Sequence, residues 1–567
     1  MTFQAVIKRT TSIREAVRLM GSQPSNRFIA GIAVVVDDAG KVIGVVTDGD
    51  VRRGLARDVS VDAPIDVIAK FDPVTVDYRL SSKMMRQAVI EKARQRGTDY
   101  RKYDKLVLID EAGKLKDVVR LADILISLIE EKTVAVYGLG FVGLTLACTL
   151  ANAGMSVIGV DTNEEVLAKL RKNQPTFYEK GLESLLLSLA DTNPLRLTSR
   201  ADEHAADIHL ISVGTPVNAE KQPDMGMIRA IAATISKVLK RGDLVVLRST
   251  VPVGTTRKEV LPVLESSGLV AGRDFFLAFA PERTAEGSAL EELRTLPQIV
   301  GGVDATSVEM TARLFGEITN TIVEVGSLEA AEMVKLMNNT FRDLVFSFAN
   351  EVAFLCDEFN EDAFRLIQAA NEGYPRNPIP MPSPGVAGLC LSKDPYLYSH
   401  PQVATAMKPS LGKASRAING QGAKYVLSKL NKFAGRHGLN VETMKILLVG
   451  LAFKGMPETS DYRDSVALEL IKSLNKLNLV IKDFVVGEAD IRALGYTPAE
   501  DLAGAVHGAD AILVMNNHYL NNKFNVVQAL QGRKKPILLF DGWHMFNRRE
   551  LEGIGITYAT MGYMSEG

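Results

Sequence analysis

Two clusters in the 567-residue chain carry residue types that could do chemistry. In PGVAGLCLSKDPY, Cys390 is followed by Lys393 and Asp394, directly after a loop rich in glycine and proline. A thiolate nucleophile, a cation that favours it and a carboxylate that orients water are what covalent oxidation of an aldehyde requires. The other two cysteines, Cys148 and Cys356, lie on apolar helical faces and are expected to be inert core. The second cluster is Gly138-Leu-Gly140-Phe141-Val142-Gly143, set between the apolar stretch TVAVY and a helical pattern, with Asp161 18 residues beyond the third glycine. The first glycine permits a tight turn, the second lets a pyrophosphate reach the backbone, and the third packs helix on strand. The helix N-terminus supplies amide donors. Asp161 would bind a ribose 2′-hydroxyl and repel a 2′-phosphate, so this spacing predicts NAD rather than NADP.

These groups need a scaffold, and composition bounds its kind. Hydrophobic residues make up 46% and charged residues 23%, the balance of a globular chain, and the length implies roughly three to five domains. Lys+Arg (66) nearly equals Asp+Glu (67), so no whole-chain field attracts nucleic acid, and nucleic acid is not an expected partner. Three scattered cysteines, and seven histidines without an H-x-x-x-H pattern, predict neither disulfides nor a metal site. The start MTFQAVIKRTTSIREAV lacks the apolar core of a signal peptide, and no run approaches the ~20 apolar residues that span a bilayer. A cytoplasmic location without membrane insertion is the expectation.

Along the chain, residues 1 to about 130 hold an internal repeat. SIREAVRLM precedes IAVVVDDAGKVIGVVTDGDVRRGL, and LSSKMMRQAVIEKARQ precedes DKLVLIDEAGKLKDVVRLADIL. Next, apolar runs alternate with helical stretches from TVAVY to FFLAFAP, which predicts a parallel sheet covered by helices. From about Glu329 to Glu372 the pattern is purely helical, and TMKILLVGLAF opens a second strand–helix series.

Over about residues 131–567 the chain resembles the UDP-glucose/GDP-mannose 6-dehydrogenase family. The family's markers occur in order: GLGFVG, VGTP, STVPVGTT, APERTAEG, EMVKLMNN, the Cys390 loop, and GLAFKG followed by DYRDS. The resemblance implies a four-electron oxidation of a sugar C6 alcohol to a carboxylate with two NAD per turnover. Cys390 would form a thiohemiacetal and then a thioester. Lys335 and Asn339, four apart on one helical face, would stabilise the oxyanion, and Asp394 would hold the hydrolytic water. Thr215 and Glu286 would lie near the nicotinamide and the catalytic water. Thr250 and Arg463 would complete the NAD contacts begun by Gly138, Gly140, Phe141, Val142, Gly143 and Asp161. Glu282, Arg283, Arg342, Arg376 and Lys454 would contact the sugar nucleotide.

NNTFRDLVFSFANE and the PER triplet resemble the branch that acts on UDP-N-acetylhexosamines such as UDP-N-acetylmannosamine, with UDP-glucose as the alternative substrate. Two departures from the family pattern stand out: GVAGLC in place of GVGGHC, and two additional residues between Lys454 and Arg463.

GVVTDGDVRR in the N-terminal repeat resembles a CBS module, which implies that Thr47 and Asp50 hold the ribose of an adenine nucleotide. The second copy has Arg120 and Asp123 at the equivalent places. A structural or oligomerising role without ligand is the competing reading of this region. The expected fold class is therefore α/β, two Rossmann-like doubly wound domains joined by a helical connector and preceded by an α+β CBS pair. Its divisions are 1–130, 131–324, 325–425 and 426–567, and a homodimer or higher homo-oligomer is expected through the helical connector. A non-catalytic nucleotide-sensing scaffold and a two-electron dehydrogenase are the rival functions.

Overall fold

The computed structural model describes residues 5–21, 31–80, 82–98, 103–121, 132–190, 194–200, 206–402, 408–523, 526–531 and 533–566. The chain divides into two compact units, Met1–Lys132 and Thr133–Gly567.

In the first unit the internal repeat appears as two strand–helix–strand–strand modules. The first contains β1 (Val6–Lys8), the helix Ile13–Gly21, β2 (Ile32–Val36) and β3 (Val42–Thr47), with β4 (Lys70–Phe71) on its edge. The second contains β5 (Thr75–Asp77), the helix Ser82–Gln95, β6 (Lys105–Ile109) and β7 (Leu115–Arg120). In each module the first pair of strands is parallel and the second antiparallel. The β-branched strands IAVVV and VIGVVT build one core, which draws in Val107 and Val118 from the second module, and Val74, Val76, Val89, Leu106 and Leu108 form a second. Asp123 lies outside the described residues.

The second unit contains two wound sheets. The first has β8 (Thr133–Tyr137), β9 (Ser156–Val160), β10 (Leu195–Thr198), β11 (Ile208–Ile211), β12 (Leu244–Leu247), β13 (Phe276–Phe279), β14 (Gln298–Gly302) and β15 (Ile322–Ser327). Its spatial order is β10-β9-β8-β11-β12-β13-β14-β15, parallel except for the β13–β14 pair. Strands such as β11, β12 and β13 are buried along their whole length, which their uninterrupted apolar sequences require of a sheet covered on both faces. The second sheet has β16 (Ile446–Val449), β17 (Leu479–Lys482), β18 (Thr497–Pro498), β19 (Ala511–Val514), β20 (Leu538–Asp541), β21 (Thr557–Thr560) and β22 (Tyr563–Met564). Its order, β18-β17-β16-β19-β20-β21-β22, repeats the same winding, reversing direction beside the first strand.

One helix, Leu328–Phe359, joins the two sheets. Its first turns, with Leu328 and Ala331, belong to the core of the first sheet, and Ala353 and Cys356 near its end belong to the core of the second. The helical run expected from Glu329 to Glu372 breaks once. Asn360 takes the left-handed conformation (φ 54°) that caps the long helix, and Asp362 caps the next one, Ala363–Asn371. Between its ends, a buried network ties the long helix to the Cys390 loop and to the helix Leu411–Asn419. Arg416 donates to Asp343 Oδ1 at 2.7 Å and to the Val386 carbonyl at 3.1 Å, and Asn419 donates to Asp343 Oδ1 at 2.9 Å. The loop that carries Cys390 is thereby anchored to the helix that carries Lys335. Among the described residues no helix is long and apolar enough to cross a membrane.

Candidate active site

The turn after β8 has the geometry a dinucleotide needs. Gly138 sits at φ +90°, and a Cβ added at Gly143 would fall 1.8 Å from the Gly138 carbonyl oxygen, so both positions require glycine. A Cβ on Gly140 would meet nothing within 4 Å, which leaves an open face for a pyrophosphate at the N-terminus of the helix Phe141–Asn152. At the end of β9, Asp161 accepts the Leu139 N–H at 2.7 Å and the Asn163 N–H at 2.9 Å, which fixes its carboxylate beside this turn.

GLAFKG after β16 repeats the GLGFVG turn with a different outcome. Gly450 has φ +94°, and its N–H reaches Lys482 O at 2.8 Å, as Gly138 reaches Val160 O at 2.8 Å. Here, however, Asp483 takes the Leu451 and Ala452 amides at 2.7 and 3.0 Å, and a Cβ on Gly455 would lie 1.9 Å from His518 N. The second turn differs from the first in having both leading amides taken by one aspartate, and its Lys454 reaches the first domain at the Glu286 carbonyl.

Cys390 lies on a single helical turn, Gly388–Leu391, whose Gly388 (φ +86°) accepts the Phe453 ring where a Cβ would clash at 2.7 Å. Its side chain is exposed, whereas Cys148 and Cys356 are buried, and burial pushes the Cys148 thiol up to about 12. Although Cys390 reaches the surface, the protein packed around its sulfur still raises the thiol above its ordinary range. Asp394 and Glu286 add to that, against Lys335 and Lys393. The adjacent cation Lys393 favours ionisation of the thiol, though less than Lys335 does, and burial outweighs both.

Lys393 has another task. It donates to Asp394 Oδ1 at 3.0 Å and to Thr215 Oγ1 at 3.1 Å, while Thr215 donates to the Thr250 carbonyl at 2.6 Å. Asn339 donates to Asp394 Oδ2 at 2.6 Å. Glu282 is buried and bonded to the equally buried Arg248, and its other oxygen accepts the Arg283 and Thr284 N–H groups at 2.8 and 2.9 Å. Burial opposes the charge of Glu282, yet Arg248, the Thr284 amide and Lys335 outweigh it and hold the carboxyl below its ordinary range. Glu286 behaves in the opposite sense. Burial and then the Asp461 charge push it up to about 7, against Thr459, Lys454 and Arg463. Lys454 donates to the Glu286 carbonyl at 2.7 Å, and burial lowers its own pKa.

The other expected residues are placed less uniformly. Arg463 binds Asp461 at 2.9 and 2.7 Å and faces Glu286 electrostatically. Arg283 is half-buried beside Glu282. Arg342 is exposed, over the Phe346 ring at 6.0 Å, and its charge helps lower the Lys454 pKa. Arg376 lies over the Tyr374 ring at 5.8 Å on an exposed loop, and among the described residues no hydrogen bond or ion pair ties it to the cluster. Arg248 and Thr459 were not foreseen. Arg248 sits just before the STVPVGTT marker, and a charged residue at the end of the apolar run DLVVL was the available signal.

In the N-terminal unit, Asp50 is buried. It accepts the Thr47 hydroxyl at 2.6 Å and pairs with Arg53 at 2.6 Å and Lys70 at 2.9 Å.

Comparison with known proteins matches four stretches of the chain. Models of the UDP-glucose/GDP-mannose dehydrogenase family match as its NAD binding domain over residues 132–319, its central domain over 329–421 and its UDP binding domain over 447–548. A CBS domain matches residues 1–57. The chain is 31% identical over 388 residues to the UDP-N-acetyl-D-mannosamine dehydrogenase of Pyrococcus horikoshii, covering 68% of this chain and 89% of that protein. It is 33% identical over 423 residues to the NDP-N-acetyl-D-galactosaminuronic acid dehydrogenase of Ralstonia nicotianae, covering 71% and 95%. The solved UDP-D-ManNAc dehydrogenase of Pyrococcus horikoshii superposes with a TM-score of 0.66 at 29% identity, covering 76% of this chain and 99% of that one.

Proposed function

The chain belongs to the UDP-glucose/GDP-mannose dehydrogenase family and is an NAD-dependent nucleotide-sugar dehydrogenase, and from that premise we propose that it oxidises the C6 alcohol of a UDP-N-acetylhexosamine to the carboxylate through Cys390. The observation that carries the covalent step is the exposed Cys390 thiol, with Lys335 and Lys393 as the cations that favour its ionisation and Asp394 close by. When bound, NAD accepts the hydride in each of two successive oxidations. The residues that would hold it are Gly138, Gly140, Phe141, Val142, Gly143 and Asp161, with Thr215, Thr250, Glu286 and Arg463 around the nicotinamide end.

Cys390 sulfur adds to the C6 aldehyde, and loss of the second hydride leaves a thioester. Water cleaves the C–S bond, releasing the acid and returning the proton to sulfur. Lys335, with Asn339 on the same helical face, would stabilise the oxygen that gains charge in both tetrahedral steps, Asn339 through the N–H not given to Asp394. Asp394 orients the water. Glu286, half-protonated near neutrality, is matched to proton transfer there. Glu282, Arg283, Arg342, Arg376 and Lys454 would bind the sugar nucleotide. Both relatives are named for N-acetylhexosamine chemistry, and this supports UDP-N-acetylmannosamine ahead of UDP-glucose.

A panel of UDP-glucose, UDP-N-acetylglucosamine, UDP-N-acetylgalactosamine and UDP-N-acetylmannosamine, monitored by NADH absorbance, tests this reading. Two NADH per sugar are expected, with the N-acetylated sugars preferred. One NADH per sugar would sink the covalent mechanism, and no turnover by the intact protein would favour a sensing scaffold.

For the N-terminal unit we propose an adenine-nucleotide site at Thr47 and Asp50, because Arg53 and Lys70 beside Asp50 are more than half exposed, at 58% and 62%, and so open to a phosphate. AMP and ATP are expected to change turnover or melting temperature, and Asp50→Ala to abolish that change. Unaltered rates and melting would leave the unit structural. We also place the protein in the cytoplasm, as a homodimer built through the long helix.

A further inference from the structure

We propose that Thr459 is a positioning residue that fixes the Glu286 carboxyl across the boundary between the two wound domains, with Asp461 as its companion. The inference rests on reading the cleft as the dehydrogenase site and adds to it the means by which the second domain controls a carboxyl of the first.

The hydrogen-bond directions carry the argument. Thr459 is 2% exposed, and its hydroxyl has one proton to give. The Asp461 N–H donates to Thr459 Oγ1 at 3.1 Å, which occupies a lone pair and leaves the hydroxyl proton directed at Glu286 Oε2, also 3.1 Å away. A threonine that merely capped its own turn would end at the first of these bonds. This one continues to a carboxylate in the other domain, 173 residues earlier in the chain.

The surroundings are built for the same contact. Lys454 holds the main chain of Glu286 through its carbonyl at 2.7 Å, and the Ser460 hydroxyl accepts the Tyr178 N–H at 3.2 Å. The next residue, Gly287 (φ +88°), lies where a Cβ would stand 2.1 Å from the Glu458 carbonyl oxygen, so a glycine is what lets the two loops touch. The charged or titratable groups that face Glu286 are Asp461, Lys454, Arg463 and Cys390. Asp461 is itself held by Arg463 at 2.7 Å. Donation by Thr459 favours the carboxylate, whereas burial and Asp461 favour the acid. Because donor and acceptor sit on different domains, separating them removes the bond. Closure of the cleft and the ionisation of Glu286 are therefore linked.

The test compares full-length wild type, Thr459→Val, Thr459→Ser and Asp461→Asn. Two measurements are made across pH 5 to 9: kcat/KM on the best UDP-sugar, and the rate of Cys390 alkylation by iodoacetamide read by mass spectrometry. The second needs no sugar nucleotide, so it reports on Glu286 through its effect on the neighbouring thiol even if the substrate assignment fails. Thr459→Val is expected to move the inflection near pH 7 upward by about 0.5–1 unit in both measurements, since the carboxylate loses a donor. Thr459→Ser restores the wild-type position, and Asp461→Asn moves the inflection downward by removing a like charge. Superimposable profiles in wild type and Thr459→Val, equal shifts in the Val and Ser variants, or an upward shift in Asp461→Asn would each overturn the proposal. If Thr459→Val does not fold, the Asp461→Asn arm decides alone by the sign of its shift. Absence of turnover in wild type with an intact alkylation inflection would refute the dehydrogenase reading and leave the Thr459 assignment standing.

Discussion

Asn339 donates its side-chain amide to Asp394 at 2.6 Å while Lys393 occupies the other carboxylate oxygen at 3.0 Å, so a fully buried aspartate has both oxygens engaged. Each oxygen retains a second lone pair, and in the proposed mechanism the water that attacks the thioester binds there. Asp394→Asn keeps the shape but brings an NH2 group against a donor and removes the charge that draws the proton. A burst of two NADH per active site, then turnover slowed by about 10²-fold or more, is expected, because hydrolysis is the step that loses its base. Stopped-flow absorbance with acid quench, and mass detection of the Cys390 adduct, would check it. A single NADH in the burst would place Asp394 in the second oxidation instead.

The position of the Cys390 thiol predicts its reactivity without substrate. Burial raises it above the ordinary value of 9.0, with Lys335 as the largest opposing charge. Beyond the inflection near pH 7 that Glu286 imposes, the alkylation rate of the wild type is therefore expected to go on rising with pH through 9. Lys335→Met moves the curve to still higher pH, and Lys393→Met does so by less. Iodoacetamide rates read at Cys390 by mass spectrometry decide this, since Cys148 and Cys356 are buried. A curve that shifts downward in Lys335→Met would mean that Lys335 does not face the sulfur.

How much of this was legible in the sequence depends on how far apart the partners lie. The glycine turn and Asp161 declare themselves because strand, turn and helix are neighbours in the chain, and each glycine answers a local steric demand. The break at Asn360 was hidden, since the apolar spacing runs on through it and only a left-handed cap reveals the end. Arg248 with Glu282, and Thr459 with Glu286, were also hidden. These are pairs 34 and 173 residues apart that only the wound topology brings together. Lys393 could be found from sequence, but its preference for Asp394 and Thr215 over the thiol could not, because that depends on which way a short helical turn points.

The pair Arg416 and Asp343 gives a stability prediction. Asp343 is fully buried and Arg416 has 9% of its side chain exposed, so breaking the pair leaves a charge without water. Asp343→Asn and Arg416→Met are each expected to cost about 3–5 kcal/mol, and the double variant less than the sum of the two. Because Arg416 also holds the Val386 carbonyl, four residues before Cys390, Arg416→Met should lower kcat even at temperatures where the protein remains folded. Denaturant unfolding alongside initial rates separates the two effects. Additive losses would show that the charges do not interact.

The outward face of the helix Leu328–Phe359 carries the final prediction. Phe341, Phe348 and Leu355 recur every seven residues and are 68%, 51% and 56% exposed, and Met337 and Phe359 extend the stripe at 51% and 76%. The opposite face, with Lys335, Leu336, Asp343, Ser347, Asn350 and Ala353, is buried within one copy, so the exposed apolar stripe lies outside that packing. Such a stripe about six turns long calls for a matching surface, and a second copy offers one by two-fold symmetry. Wild type is expected to sediment as a dimer at micromolar concentration. Phe341→Glu with Leu355→Glu should yield a folded monomer, since the substitutions touch nothing within one copy's core. Light scattering over a concentration series gives the mass, and far-ultraviolet circular dichroism confirms the fold. A variant that keeps the dimeric mass would move the contact to another face.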